Sequence, residues 1–322
     1  MFLSIDSIHK AYGSHNVLTD ITFDITEGEM VSIIGPSGAG KTTLLKIIAG
    51  LEQPDSGSIY SSADLKRNPA ILVFQDYILF PTMNVFENVT FGLKCRKTEG
   101  QQMKQKALEM LNYFQLADKV QHYPNQLSAG QQQRVALARA MVINPSLLLL
   151  DEPFANLDRN LKSETAEFIR NFQKEYTITT ISVTHDLQEA FMMSDRIGIL
   201  LDGTLCQYND AKTVYNEPVS SRVATFLGHV NSIPAHSLSY FGINDDSKSG
   251  SMGISVRAES IRLTKDDNGQ GIVEDVIFAG HYIIYRVRVN DVTLTVYSLN
   301  SNLEVEEKVG VTIKHFMRIK ET

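Results

Sequence analysis

Gly35-Pro36-Ser37-Gly38-Ala39-Gly40-Lys41-Thr42 is the stretch that decides the fold. It follows the apolar run Met30-Val31-Ser32-Ile33-Ile34 and opens into Thr43-Leu44-Leu45-Lys46-Ile47-Ile48-Ala49, closed by Gly50. A buried strand, a glycine-rich turn and a helix, in that order, form the setting a phosphate-cradling loop needs. Glycines let successive N–H groups converge on an anion. The helix N-terminus adds partial positive charge beneath it. At this spacing Lys41 can reach terminal phosphates, and the Thr42 hydroxyl can sit on Mg²⁺. A nucleoside triphosphate is the expected ligand of this segment.

Outward from the loop, residues 2 to 26 alternate apolar and polar in two stretches, Phe2 to Ile8 and Leu18 to Ile25. Short apolar runs recur at Ala70 to Phe74, Leu147 to Leu150 and Ile178 to Val183. Helical patterns such as Gln101 to Phe114 and Arg159 to Glu175 separate them, which argues for a parallel α/β core. Ile197 to Leu201 and Thr204 to Tyr208, joined by Asp202-Gly203, read as a hairpin. After about Gly228 the pattern changes. Residues 229 to 253 look irregular, and strands then dominate: Ile254 to Thr264, Val273 to Phe278, Tyr282 to Val289, Val292 to Tyr297 and Val311 to Met317. Evenly spaced strands without comparable helices indicate a small β-barrel. The expected division is 1–235 for the α/β domain and 236–322 for the β domain.

Composition is that of an ordinary globular protein: 322 residues, 43% hydrophobic and 21% charged. The formal net charge of −7 and the absence of a dense basic cluster argue against nucleic acid as a partner. Cys95 and Cys206, the two cysteines, suggest neither a disulfide framework nor a metal site. Met1-Phe2-Leu3-Ser4-Ile5-Asp6 lacks the form of a signal peptide, and no apolar run approaches the roughly 18 residues needed to span a bilayer.

The second chemistry-bearing motif is Leu147-Leu148-Leu149-Leu150-Asp151-Glu152-Pro153. The leucines form a strand buried on both faces, and the acids fall at its C-terminal end, where open α/β sheets bind ligands. Asp151 is placed to hold Mg²⁺ through water, and Glu152 to orient or deprotonate an attacking water.

Leu127-Ser128-Ala129-Gly130-Gln131-Gln132-Gln133-Arg134, just ahead of this strand, resembles the signature motif of the ABC ATPases, Leu-Ser-Gly-Gly-Gln. Ala129 stands where the family has glycine; if the backbone there requires a positive φ, alanine costs about 1 kcal/mol. Other segments match the family in order. Gln75 in Val73-Phe74-Gln75-Asp76 resembles the Q-loop glutamine that ligates Mg²⁺. Ala155-Asn156-Leu157-Asp158 resembles the D-loop, with Asn156 where alanine is common. His185 in Val183-Thr184-His185-Asp186 matches the switch histidine that contacts the γ-phosphate. Tyr12 in Lys10-Ala11-Tyr12-Gly13 matches the aromatic residue that stacks on adenine, a contact worth roughly 1–3 kcal/mol.

The resemblance covers residues 1 to about 230 and implies an ABC-type ATP hydrolase. The implied fold is a P-loop, RecA-like α/β core with helical and antiparallel β subdomains, followed by an all-β OB-like barrel. It assigns ATP binding to Tyr12 and to Gly35 through Thr43, and catalysis to Glu152, His185, Lys41 and Gln75. Mg²⁺ would be held by Thr42, Gln75 and Asp151. Ser128, Gly130, Gln131 and Asp158 would complete the site of a second copy, with ATP sandwiched at a head-to-tail homodimer interface related by a two-fold axis.

Ile254-Ser255-Val256-Arg257-Ala258-Glu259-Ser260-Ile261-Arg262-Leu263 looks like the start of the TOBE domain that follows importer ATPases. That resemblance implies integral membrane permease partners, an extracytoplasmic solute-binding protein beyond them, and a peripheral place on the cytoplasmic face of the membrane. Phe80 and Val85, in Phe80-Pro81-Thr82-Met83-Asn84-Val85-Phe86, read either as part of the groove that receives a permease helix or as interior packing. The competing function is a soluble, non-transport ABC ATPase whose β domain binds a protein or small ligand. A GTPase is disfavoured because no Asn-Lys-x-Asp motif is present.

Overall fold

The structure, a computed structural model, describes residues 1–319 apart from 63, 64, 66, 67, 69, 77, 156, 158, 244–252, 300 and 301. Two compact units emerge, Met1–Ala211 and Lys212–Thr322.

In the first unit, β1 (Leu3–Tyr12) and β2 (His15–Ile25) pair antiparallel. β3 (Met30–Ile34) is buried throughout and leads through the phosphate loop into α1 (Lys41–Ile48). β4 (Ser56–Ser61) pairs with β1, giving a three-stranded sheet of order β2-β1-β4. β5 (Ile71–Val73) precedes the helices α2 (Val85–Cys95), α3 (Gly100–Tyr113) and α4 (Ala129–Met141). Then follow β6 (Leu147–Asp151), α5 (Arg159–Tyr176), β7 (Thr179–Thr184), α6 (Leu187–Met193), β8 (Arg196–Leu201) and β9 (Thr204–Asp210). The central sheet runs β5-β6-β7-β3-β8-β9, parallel except for the β8–β9 hairpin.

Alternation along β6 explains how one strand serves two cores. Leu147 and Leu149 join Val31, Ile33, Ile181, Leu44 and Leu45 on the α1 side. Leu148 and Leu150 join Leu137, Met141, Ile169 and Phe172 on the side covered by α4 and α5. A strand with period-two side chains and apolar residues at every position needs a cover on both faces, and the crossover helices provide it.

The second unit contains α7 (Ala211–Asn216), whose first residue lies at the division, and α8 (Ser221–Phe226). β10 (Val230–Ile233) pairs with β11 (Ile254–Arg257). β12 (Ile261–Lys265), β13 (Gly271–Phe278), β14 (Ile283–Val289), β15 (Val292–Ser298) and β16 (Lys308–Ile313) form an antiparallel sheet of order β12-β16-β13-β14-β15. Its edge strands β12 and β15 also meet, in keeping with a barrel-like closure.

Two sequence expectations change here. Ile254 to Thr264 is not one strand: a 3₁₀ turn at Ala258–Ser260 divides it, and its halves join different sheets. The last strand is Lys308–Ile313 rather than Val311 to Met317. The compact units, for their part, divide after Ala211. Arg257 accounts for this: its guanidinium donates to Tyr215 O at 2.9 Å and Ala224 O at 3.4 Å and lies 4.0 Å from the Tyr215 ring, binding both short helices into the β unit.

Candidate active site

The phosphate loop is shaped by contacts that exclude side chains. Gly40, at φ 97°, is the N-cap of α1, and a Cβ there would meet Val17 O at 2.8 Å. A Cβ on Gly35 would lie 2.1 Å from Leu200 O. Both positions need glycine for space, and Gly40 needs it for backbone conformation as well.

Five predicted residues converge at the C-terminal edge of the parallel strands. The Thr42 hydroxyl donates to Asp151 Oδ1 at 3.0 Å. Lys41 Nζ donates to Gly35 O at 2.8 Å and Pro36 O at 2.9 Å, and lies 4.0 Å from Glu152 Oε1. His185 Nδ1 is 3.2 Å from that same Glu152 oxygen. Sheet order produces the meeting: β6, β7 and β3 are neighbours, so residues just past their ends share one edge. Glu152 has φ 45°, and its N–H donates to Val183 O at 2.9 Å. A non-glycine residue in left-handed backbone at a strand end is a form of strain that collects at functional sites.

Burial works against both charges at this edge. Burial pushes the Asp151 carboxyl above its ordinary range, against the Thr42 hydrogen bond and with the help of neighbouring Glu152. Burial likewise lowers the Lys41 ammonium, while Glu152 and Asp151 oppose the shift. The Asp151 carboxylate and the Thr42 hydroxyl it accepts from are hard oxygen donors of the kind Mg²⁺ takes, and a Gln75 carbonyl would be a third. Gln75 is exposed and lies two residues beyond the Val73–Leu150 pair, at the same edge as Asp151 and Glu152.

Tyr12 is half exposed at the end of β1, as a base-stacking ring must be. Its hydroxyl donates to Glu52, and Lys10 lies 5.5 Å from its ring. Ser128 caps α4 through a reciprocal pair: its Oγ accepts from Gln131 N at 3.4 Å, and Gln131 Oε1 accepts from Ser128 N at 3.0 Å. Among the described residues, no hydrogen bond or ion pair links Ser128, Gly130 or Gln131 to Lys41, Asp151, Glu152 or His185. Ala129 begins the helix and is exposed without a positive φ, so alanine carries no left-handed backbone cost there. Asp158 and Asn156 lie outside the described residues.

Residues 18–155 match the ABC transporter family, and 254–315 match the TOBE domain. The chain is 45% identical over 241 residues to the sulfate/thiosulfate import ATP-binding protein CysA of Bacillus cereus, spanning 72% of this chain and 68% of the relative. The chain belongs to the ABC transporter family. This ABC ATPase is also 44% identical over 235 residues to the spermidine/putrescine import ATP-binding protein PotA of Haemophilus influenzae, covering 71% of the chain and 63% of that protein. In three dimensions it resembles the dimeric structure of MJ0796, a bacterial ABC transporter cassette. That likeness has 33% identity and a TM-score of 0.59, over 65% of this chain and 99% of the other.

Of the two readings offered for Val85, interior packing is the one the fold shows. Val85 is fully buried at the start of α2, where Asn84 caps the helix through Glu87 N. Phe80 is only partly buried, 4.6 Å from the exposed Phe91 ring and 5.2 Å from the Arg139 guanidinium. No described helix is long and apolar enough to cross a membrane.

Sequence reasoning missed the groups behind the site. Glu52 holds the Tyr12 hydroxyl, and Lys162, Asp186 and Glu189 surround the backbone that carries His185. One signal was present for the latter set: Asp186-Leu187-Gln188-Glu189 has the spacing of a helix start with an acid in its first turn.

Proposed function

We propose that this ABC ATPase energises the import of a solute through a permease, hydrolysing ATP between two copies arranged head to tail. The observation that carries the reading is the shared Glu152 oxygen, 4.0 Å from Lys41 Nζ and 3.2 Å from His185 Nδ1. It joins a phosphate-binding cation and a polar imidazole to the one carboxylate positioned to polarise water.

In this reading the loop N–H groups and Lys41 bind the β- and γ-phosphates. Moving onto phosphate, Lys41 exchanges its bonds to the Gly35 and Pro36 carbonyls for stronger charge-assisted ones. Glu152 orients a water and takes its proton, and His185 contacts the γ-phosphate. Tyr12 stacks on adenine. Thr42, Asp151 and Gln75 would hold Mg²⁺, which neutralises phosphate charge when bound. Ser128, Gly130, Gln131 and Asp158 of one copy would close the site of the other. The exposure of the Ser128 loop, and its lack of bonds to the catalytic cluster of its own chain, support that division.

The relatives import different solutes, sulfate/thiosulfate in one case and spermidine/putrescine in the other, so the family likeness leaves the solute class open. Reconstitution with a co-purifying permease, and a solute screen for stimulated phosphate release, tests the assignment. Coupled stimulation by one solute class is expected. An active ATPase that captures no membrane protein would instead favour the non-transport role.

A further inference from the structure

The loop that carries His185 is held from both sides, and the hold reaches another element. On one side the Thr184 hydroxyl donates to Glu189 Oε2 at 2.6 Å and accepts from Asp186 N at 3.0 Å. On the other, Asp186 Oδ1 accepts from Gln188 N at 2.9 Å and Glu189 N at 3.3 Å, capping α6. Glu189 is only 6% exposed, so its second oxygen needs a partner inside the fold. Lys162 supplies it, with Nζ 2.9 Å from Glu189 Oε1 and 3.6 Å from Asp186 Oδ2. One ammonium therefore bridges the two carboxylates that follow His185, Asp186 beside it and Glu189 in α6.

Lys162 sits in the first turn of α5, the helix that begins directly after Asp158. Farther along, the same helix presents Phe168, Phe172 and Tyr176 to Tyr113 at the end of α3, with ring centroids 5.1, 4.9 and 6.3 Å away. With Ala166, Ile169 and Phe172 buried in the core and Leu161 packed against it, the helix is held from its first turn onward, so a charge at its start is a firm anchor.

We propose that Lys162 is a positioning residue for His185, tying α5 to the switch loop so that the imidazole stays in reach of Glu152 and of the phosphate being transferred. The inference rests on the role given to His185 above. Lys162 touches neither the phosphate loop nor Glu152 among the described contacts, so its removal acts on geometry and leaves the nucleotide-binding groups in place. Misplacement by a fraction of a bond length lowers turnover without weakening ground-state binding.

The test measures kcat and KM for ATP in Lys162→Met, Lys162→Arg and His185→Ala, with melting temperature and nucleotide binding alongside. Lys162→Met should lower kcat about ten-fold or more while KM changes by less than about two-fold. Lys162→Arg should recover most of the loss, because a hollow of about 230 Å³ beside Lys162, Ser163 and Met192 leaves room for a guanidinium. Should Lys162→Met melt early and bind no ATP, Lys162→Met/Glu189→Gln decides, since it leaves no buried charge unpaired. Low kcat in that folded double variant supports the positioning role; wild-type kcat overturns it. Wild-type kcat in Lys162→Met beside an inactive His185→Ala sinks the tie and leaves the histidine's role intact. A fully active His185→Ala would remove that role and the tie with it.

Discussion

Buried charge is handled in opposite ways at the catalytic edge and in the β unit. Arg257 is 4% exposed, and its donors are spent on the Tyr215 and Ala224 carbonyls, with the Tyr215 ring against its face. Asn231, also buried, exchanges bonds with Thr295 N and O at 2.7 and 2.8 Å. Both are satisfied by backbone and hold elements together. At the catalytic edge, Asp151 and Glu152 are adjacent acids, burial raises Asp151, and Lys41 bonds carbonyls that a phosphate would replace. One region matches its buried charge with backbone acceptors, whereas the other sets two acids side by side. On the proposed function, that difference is where stability is given up for activity.

The sharpest way to break this contrast is Glu152→Gln. It should cut phosphate release by about 100-fold or more, because the proposed water-polarising base is lost while the proposed phosphate-binding groups remain. ATP binding should persist and an ATP-bound dimer accumulate, visible by size-exclusion chromatography. Turnover near wild type would take Glu152 out of its role.

Next in size is a pair of lesions. Ser128→Arg should abolish turnover while leaving ATP binding to the phosphate loop, and Lys41→Ala should weaken binding itself. Mixed dimers contain one site with both lesions and one with neither, so partial activity should return. Demonstrated mixed dimers without recovery would refute a site shared between copies.

Arg257→Met probes the satisfied region. Leaving the Tyr215 and Ala224 carbonyls without their donor should cost about 1–3 kcal/mol, seen by calorimetry as an earlier transition of residues 212–322. ATP turnover below that transition should be unchanged. Equal loss of turnover and stability would dissolve the division between a catalytic and a structural region.

The smallest effect is on pH dependence. A carboxyl whose folded value is raised above its ordinary 3.8 stabilises the fold below that value and loses the contribution as pH climbs through the raised one. At neutral pH, ionised Asp151 therefore weakens the nucleotide-free protein. Asp151→Asn, which keeps an oxygen for Thr42, should stabilise it by about 1 kcal/mol at pH 7, with the advantage shrinking toward pH 4. A lower melting temperature at pH 7 would show that Asp151 is no burden.

Much of the site could be read along the chain because its signals are local. Glycine spacing between an apolar strand and a helix announces the phosphate loop, and Leu147 to Leu150 announce a doubly covered strand ending in acids. Periodicity and backbone freedom act over a few residues, so sequence alone determined the loop, the core strands and the order of the motifs. Tertiary structure decided what depends on which strands become neighbours. The β6-β7-β3 order brings Glu152 to His185, and the packing of α5 against α6 brings Lys162 to Glu189. Tertiary packing also buried Val85, broke the strand at Ala258–Ser260 and drew Tyr215 and Ala224 to Arg257. No local pattern records these pairings, because each draws its energy from burial and hydrogen bonds completed by residues far away in the chain.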